Sequence, residues 1–286
     1  MVNQLGFAKR FLSLVTPIVT SSALAPLALC IAASPSLAVT LASSEGSFVI
    51  DNFSHNPQEI ETYTDATTVA IASNGEVNAD ADASALFIVD PSPSSTFASN
   101  SSFGKVNGDG SDYFGAAESV AEVIGYNFLV EGGETFAFNF EAALDLETSI
   151  DDPKSEVASA TGDLFLELYD TTNPDNWVSL DSFTLSAALN DPKDGDFLNY
   201  DKSANITLPP SETSFVTAFG GTQESANASV VGSFERTFDR PTSLTLMEHK
   251  SNQASAAVPE PGSIMALLFG LTGVGYKIRN KVFGAK

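Results

Sequence analysis

The chain is poor in the residue types that do nucleophilic or redox chemistry: its only cysteine is Cys30 and its only histidines are His55 and His249. Catalytic triads need a base within hydrogen-bond reach of the nucleophile, so this shortage comes close to excluding Ser-His-Asp and Cys-His arrangements. His249, between Glu248 and Lys250, is expected at the exposed end of the last strand, and His55, after Asp51-Asn52-Phe53-Ser54, in a polar loop. A working histidine needs a convergent pocket, and neither neighbourhood signals one. There is no Gly-x-Ser-x-Gly elbow, phosphate loop, dinucleotide fingerprint or His-Glu-x-x-His. No catalytic residue is assigned, and the expectation is a protein that is not an enzyme.

Carboxylates are the abundant chemical groups, with 36 Asp and Glu against 13 Lys and Arg. Asn107-Gly108-Asp109-Gly110-Ser111-Asp112 and Asp191-Pro192-Lys193-Asp194-Gly195-Asp196 place hard oxygen ligands on turn-forming backbone, the donor set that Ca²⁺ selects. Neither is an EF-hand, because Asp112 stands where the invariant glycine belongs and neither loop has a Glu at its twelfth position with flanking helices. Asp and Gly are also ordinary turn residues, so structural Ca²⁺ and a plain turn are both open for each loop; Asp80 and Asp82 form a weaker third candidate. A carboxylate-based glycoside hydrolase or lyase would need two carboxyls about 5–9.5 Å apart, and so many acids single out no pair. Trp177 and the tyrosines could stack on a sugar ring, or pack in the core. The excess of 21 Phe over 6 Tyr and 1 Trp favours packing.

The two ends must deliver and position whatever lies between them. Lys9 and Arg10 followed by an uncharged apolar run from Phe11 to Ala33, then Ser36-Leu37-Ala38, read as a signal peptide over residues 1–38 with cleavage after Ala38. An uncleaved anchor is the alternative. Lipidation at Cys30 is disfavoured because Leu29 occupies the position where a lipobox needs a small residue. Cleavage at Ala38 would leave no cysteine, hence neither disulfides nor thiol chemistry. At the other end, Val258-Pro259-Glu260-Pro261 precedes an apolar run ending at Tyr276 and then Lys277, Arg279, Lys281 and Lys286. As a helix, the run from Gly262 to Tyr276 would cover about 22 Å, short of a hydrocarbon core of about 30 Å. The basic residues lengthen it by snorkelling and hold it on the cytoplasmic side.

Signal peptide, body, Pro-Glu-Pro, short helix and basic tail, in that order, resemble the PEP-CTERM sorting-signal proteins. The resemblance covers the tail and the general layout, not the body. It implies export in a bacterium with an exopolysaccharide system and a precursor tethered in the inner membrane. It further implies recognition of Pro259, Glu260 and Pro261 by an exosortase-type membrane protease, and delivery to the cell surface, outer envelope or medium. The prolines would keep the cleavage segment extended. Asn52, Asn100, Asn205 and Asn227 begin glycosylation-type triplets, which in such an export context read as coincidence.

Residues 39–250 are expected to form the body, 251–258 a Ser/Ala linker, and 259–286 the sorting signal. Between Val39 and Val258 there are 35 acidic and 7 basic side chains, a net charge of −28. That excess argues against nucleic acid as a partner, because phosphate affinity depends on Lys and Arg. It suits solubility, or bridging through divalent cations to anionic exopolysaccharide. Phe136, Phe138 and Phe140 alternate with Ala137, Asn139 and Glu141, the period of a half-buried strand. Glu131-Gly132-Gly133-Glu134 is expected to join that strand to residues 126–130 as a hairpin. Further strands are expected at 47–51, 85–90, 163–170, 178–186, 214–220, 229–238 and 243–249, separated by Asp-Pro, Asn-Gly and Pro-Pro turns. Many short strands predict an all-β, antiparallel β-sandwich, jelly-roll-like in size. Its leading function is that of an exported surface or matrix protein, with a carbohydrate-binding module as the alternative.

Overall fold

Alternating burial along the chain converts into eleven antiparallel strands in a computed structural model, which describes residues 40–193 and 195–258. They are β1 (Thr40–Asp51), β2 (Glu59–Ile88), β3 (Phe97–Val130), β4 (Thr135–Ser149), β5 (Val157–Asp170) and β6 (Val178–Asp191). The rest are β7 (Phe197–Lys202), β8 (Ile206–Thr207), β9 (Thr213–Ala218), β10 (Gln223–Thr237) and β11 (Thr242–Val258). Every strand expected from the sequence overlaps one of these, with 85–90, 214–220 and 229–238 running one or two residues past the observed strand ends. The expected signal peptide and the expected tail helix fall outside the described residues.

All eleven strands belong to one sheet, ordered β7-β6-β5-β11-β3-β1-β4-β10-β8, with β2 on β3 and β9 on β10. The expected all-β, antiparallel class is borne out, and in place of a jelly-roll-like sandwich one sheet is creased into two facing layers and is nearly barrel-shaped. The crease lies within the long β2–β3 ribbon. Residues 98–108 of β3 pair with β1 while residues 113–130 pair with β11, so a single strand serves both layers. At the far side, β7 approaches β9 through the stacked rings of Tyr200 and Phe215, 5.0 Å apart.

The core lies between the layers. Phe136, Phe138, Phe140, Leu144 and Leu146 of β4 face Leu164, Leu166 and Leu168 of β5 and Phe183 of β6, and every one is almost fully buried. Phe140 and Phe183 meet across the layers at 5.0 Å. Nearer the crease the core changes to Ala42, Val106, Ala117, Ala158, Ala254 and Ala256. There the layers come close: a Cβ on Gly104 would stand 3.2 Å from the Ala117 carbonyl, and one on Gly115 would stand 2.4 Å from Val106. Small side chains are what such an approach admits.

Two sequence expectations are corrected. Glu131–Glu134 is a tight turn, with Glu134 N donating to Glu131 O at 3.1 Å and Gly133 at φ +91°. It is not a hairpin, however, because β4 pairs with β1 and β10 while β3 pairs with β11, β1 and β2. The turn carries the chain from one layer to the other, and the rings of Phe128 and Phe136 on its two sides pack across the core at 5.0 Å. Residues 251–258 are not a linker. They form the second half of β11, paired with β3 to Val258 and with β5 to Ala257; their alanines are the small residues that the narrow end of the core requires.

Candidate functional site

Trp177 is half exposed, contrary to the packing that the aromatic composition favours. It ends a turn after β5 in which Asp175 N donates to Asn173 Oδ1 at 3.1 Å and Thr172 N to Asp170 Oδ1 at 2.9 Å. Its ring lies 5.7 Å from Tyr169. Together with Glu59, Glu61, Tyr126, Asn127 and Pro174 it lines an open cleft. A bulge shapes this floor: the β3–β11 register slips between Leu244 and Leu246, and Asn127 takes φ +56°. Tyr126 Oη donates to Glu61 Oε2 at 2.9 Å. Burial, reinforced by Glu61, keeps that phenol protonated well above its usual range. An indole face beside carboxylates, an amide and a phenol is equipped to stack on a ring and to hydrogen-bond hydroxyls.

A second constellation lies inside the body, between the Phe-rich and Ala-rich parts of the core. Successive inward positions of β11 are Glu248, Lys250 and Asn252, all fully buried. Opposite them stand Asn100 and Ser102 of β3 and Ser44 of β1, also buried. Asn252 Nδ2 donates to Ser44 Oγ at 2.5 Å, Ser44 Oγ to the Thr161 carbonyl at 2.7 Å, and Ser102 Oγ to Asn252 Oδ1. Gly46 makes room for this amide, since a Cβ there would lie 2.8 Å from Asn252 Oδ1.

Lys250 Nζ donates to the Asn100 backbone carbonyl at 2.9 Å and to Asn100 Oδ1, while Asn100 Nδ2 donates to Glu248 Oε2. Glu248 Oε1 lies 3.5 Å from Lys250 Nζ and has no hydrogen-bond partner. The Phe48 ring, whose residue is the cross-strand partner of Asn100, stands 5.8 Å from Nζ. Burial pushes the Glu248 carboxyl up, against the pull of Lys250, and pushes the Lys250 amine down, against the pull of Glu248.

Comparison of the chain with protein-family models, curated proteins and solved structures gives no match. The site therefore has to be judged on its own geometry.

The remaining expected residues separate. Asn107–Asp112 is no loop: it is the crease of β3 and continues in strand pairing with β2. Asp191 is buried at the end of β6, accepts from Thr148 Oγ1 at 2.9 Å, and lies near Asp196 and Glu224; Asp194 is outside the described residues. Burial first, then the Asp191 charge, pushes the Glu224 carboxyl up to about 7. Among the described residues no group of three or more His, Cys, Asp or Glu is arranged to hold a metal ion. His55 contacts Ser54 Oγ at 2.8 Å and Glu134 at 3.2 Å. His249 is not at a strand end; it sits within β11 opposite Glu122, 3.2 Å from its carboxylate. Ala38, Pro259, Glu260 and Pro261 lie outside the described residues.

Sequence reasoning missed the Asn100–Glu248–Lys250 group. Asn100 stood out only as the start of a glycosylation-type triplet. The available signal was Glu248 and Lys250 two apart in a strand whose alternate positions Leu244, Leu246, Ala254 and Ala256 are apolar, which places both charges on the buried face.

Proposed function

We propose that this chain is an exported, non-enzymatic surface or matrix protein that passes through an inner-membrane-tethered precursor and is processed at a PEP-CTERM signal by an exosortase-type protease. The observation supporting this is the end of β11 at Val258. Strand pairing runs up to Val258, the residue before Pro259 in the sequence, and a proline cannot donate a ladder hydrogen bond. Cleavage there would release or transfer the body with its last strand complete. A net charge of −28 would keep that body soluble and would let divalent cations bridge it to anionic exopolysaccharide.

The test is the intact mass of the protein recovered from the native cell's envelope and medium, for the wild type and for Glu260→Ala. The wild type is expected to end near Pro259-Glu260-Pro261 and the variant to keep its tail. A tail intact through Lys286 in both would overturn the reading. A second reading, carbohydrate binding by the body, is favoured by the exposed Trp177 in its polar cleft, and is compatible with the first.

A further inference from the structure

We propose that Lys250 and Asn100 become joined side chain to side chain by an amide bond that forms within the folded body, with Glu248 carrying the protons. Asn100 comes from the opposite layer to Glu248 and Lys250, 148 and 150 positions away in the chain, yet the three contact one another in a site closed to solvent. The amine lies against the Asn100 carboxamide, and one carboxyl touches both nitrogens: Oε2 accepts from the amide nitrogen and Oε1 lies 3.5 Å from the amine. That is the placement needed to move a proton from an attacking nitrogen to a leaving one.

The step balances without any co-reactant. The lone pair of neutral Lys250 Nζ attacks Asn100 Cγ and forms the new C–N bond. Glu248, as the neutral acid, gives its proton to Nδ2 and recovers one from Nζ. The Cγ–Nδ2 bond breaks and ammonia leaves. Nothing is oxidised or reduced, and Glu248 ends as it began. Burial shifts the amine and the carboxyl toward the neutral forms that the step uses, and Phe48 and the surrounding core exclude the water that would compete as nucleophile.

A merely structural role explains the group less well. A buried Lys–Glu pair is commonly no better than an apolar pair of the same volume, and this one leaves Glu248 Oε1 without a hydrogen bond. A covalent tie between the layers would give a body that contains no cysteine the kind of cross-link that disulfides give exported proteins.

The experiment is proteolytic mapping by tandem mass spectrometry of the full chain, purified folded. The expected result is a branched fragment joining Asn100 to Lys250 and lighter than its two parts by one ammonia, absent in Lys250→Arg. Asn100 and Lys250 in separate fragments of unchanged mass would overturn the proposal, as would a link from Lys250 to Glu248 formed with loss of water. Glu248→Gln is expected to fold and remain unlinked, and Glu248→Asp to link more slowly than the wild type. A folded Glu248→Gln chain carrying the full link would overturn the role of Glu248, and the wild-type map decides the bond even if that variant does not fold.

Discussion

Gly75 of β2 and Gly110 of β3 are paired at the crease of the sheet, with φ of +136° and +120°. A Cβ on Gly110 would stand 2.5 Å from Gly75 Cα, and one on Gly75 would stand 2.2 Å from the Asp109 carbonyl. Two strands turn together here because neither carries a side chain at the bend. Gly110→Ala therefore meets both backbone strain and a backbone clash, and is expected to destabilise the body by about 2–4 kcal/mol. Gly133→Ala is the control. Its φ is +91° but a Cβ there meets nothing within 4 Å, so a cost of only about 1 kcal/mol is expected. Denaturant midpoints of the two variants would rank them; equal costs would show that the crease does not depend on the close approach.

Asp181 of β6 is nearly fully buried, and Arg236 of β10 reaches it across the layers at 2.8 Å while Asn205 donates to both its oxygens. Arg236→Ala leaves a buried carboxylate without its cation and is expected to cost about 2–4 kcal/mol. Arg240, mostly exposed and 3.5 Å from Asp170, is expected to cost less than about 1 kcal/mol when replaced by Ala. Equilibrium unfolding of both variants checks the contrast.

Glu224 titrates near 7 in the folded body against 4.5 for an ordinary glutamate, because it is buried beside Asp191. Between those values the folded chain holds a proton that the unfolded chain has lost. Stability is therefore expected to fall as pH rises from about 4.5 to about 7 and to be flat, as far as this group goes, above that. Glu224→Gln should remove that slope from a series of unfolding curves. An unchanged slope would place the proton elsewhere.

Trp177 exposes about half of its surface, 49 %, so Trp177→Ala is expected to shift the unfolding midpoint little. If the cleft binds sugar rings, retention on an immobilised polysaccharide should drop by about tenfold or more, the loss of one stacking partner. Retention equal to the wild type would remove the cleft from the carbohydrate-binding reading.

Where large and polar residues alternate, strands were legible in the sequence. Phe136, Phe138 and Phe140 declare the inner face of β4, as Leu164, Leu166 and Leu168 do for β5. The first two thirds of β2 escaped because Ala, Thr and Asp there give no contrast between faces, and the strand is exposed on both of them. Residues 251–258 read as linker for a related cause: Ala256 is small in a linker and equally small where two layers nearly touch. The turn at Glu131–Glu134 was recognised, but a turn fixes the path of a few residues and not which strands pair afterwards.

The sequence by itself determined the all-β class of the body, its net charge of −28, its lack of cysteine, and the order of an apolar N-terminal run after Lys9 and Arg10, an acidic body, and Pro259-Glu260-Pro261 followed by an apolar run and basic residues. These depend on composition and on periods of a few residues. Tertiary structure alone decided that one sheet is creased into two layers, that Trp177 faces solvent, and that Asn100 meets Lys250 at a sequence separation of 150. Such meetings depend on the free energy of packing whole strands against each other, which no local pattern encodes.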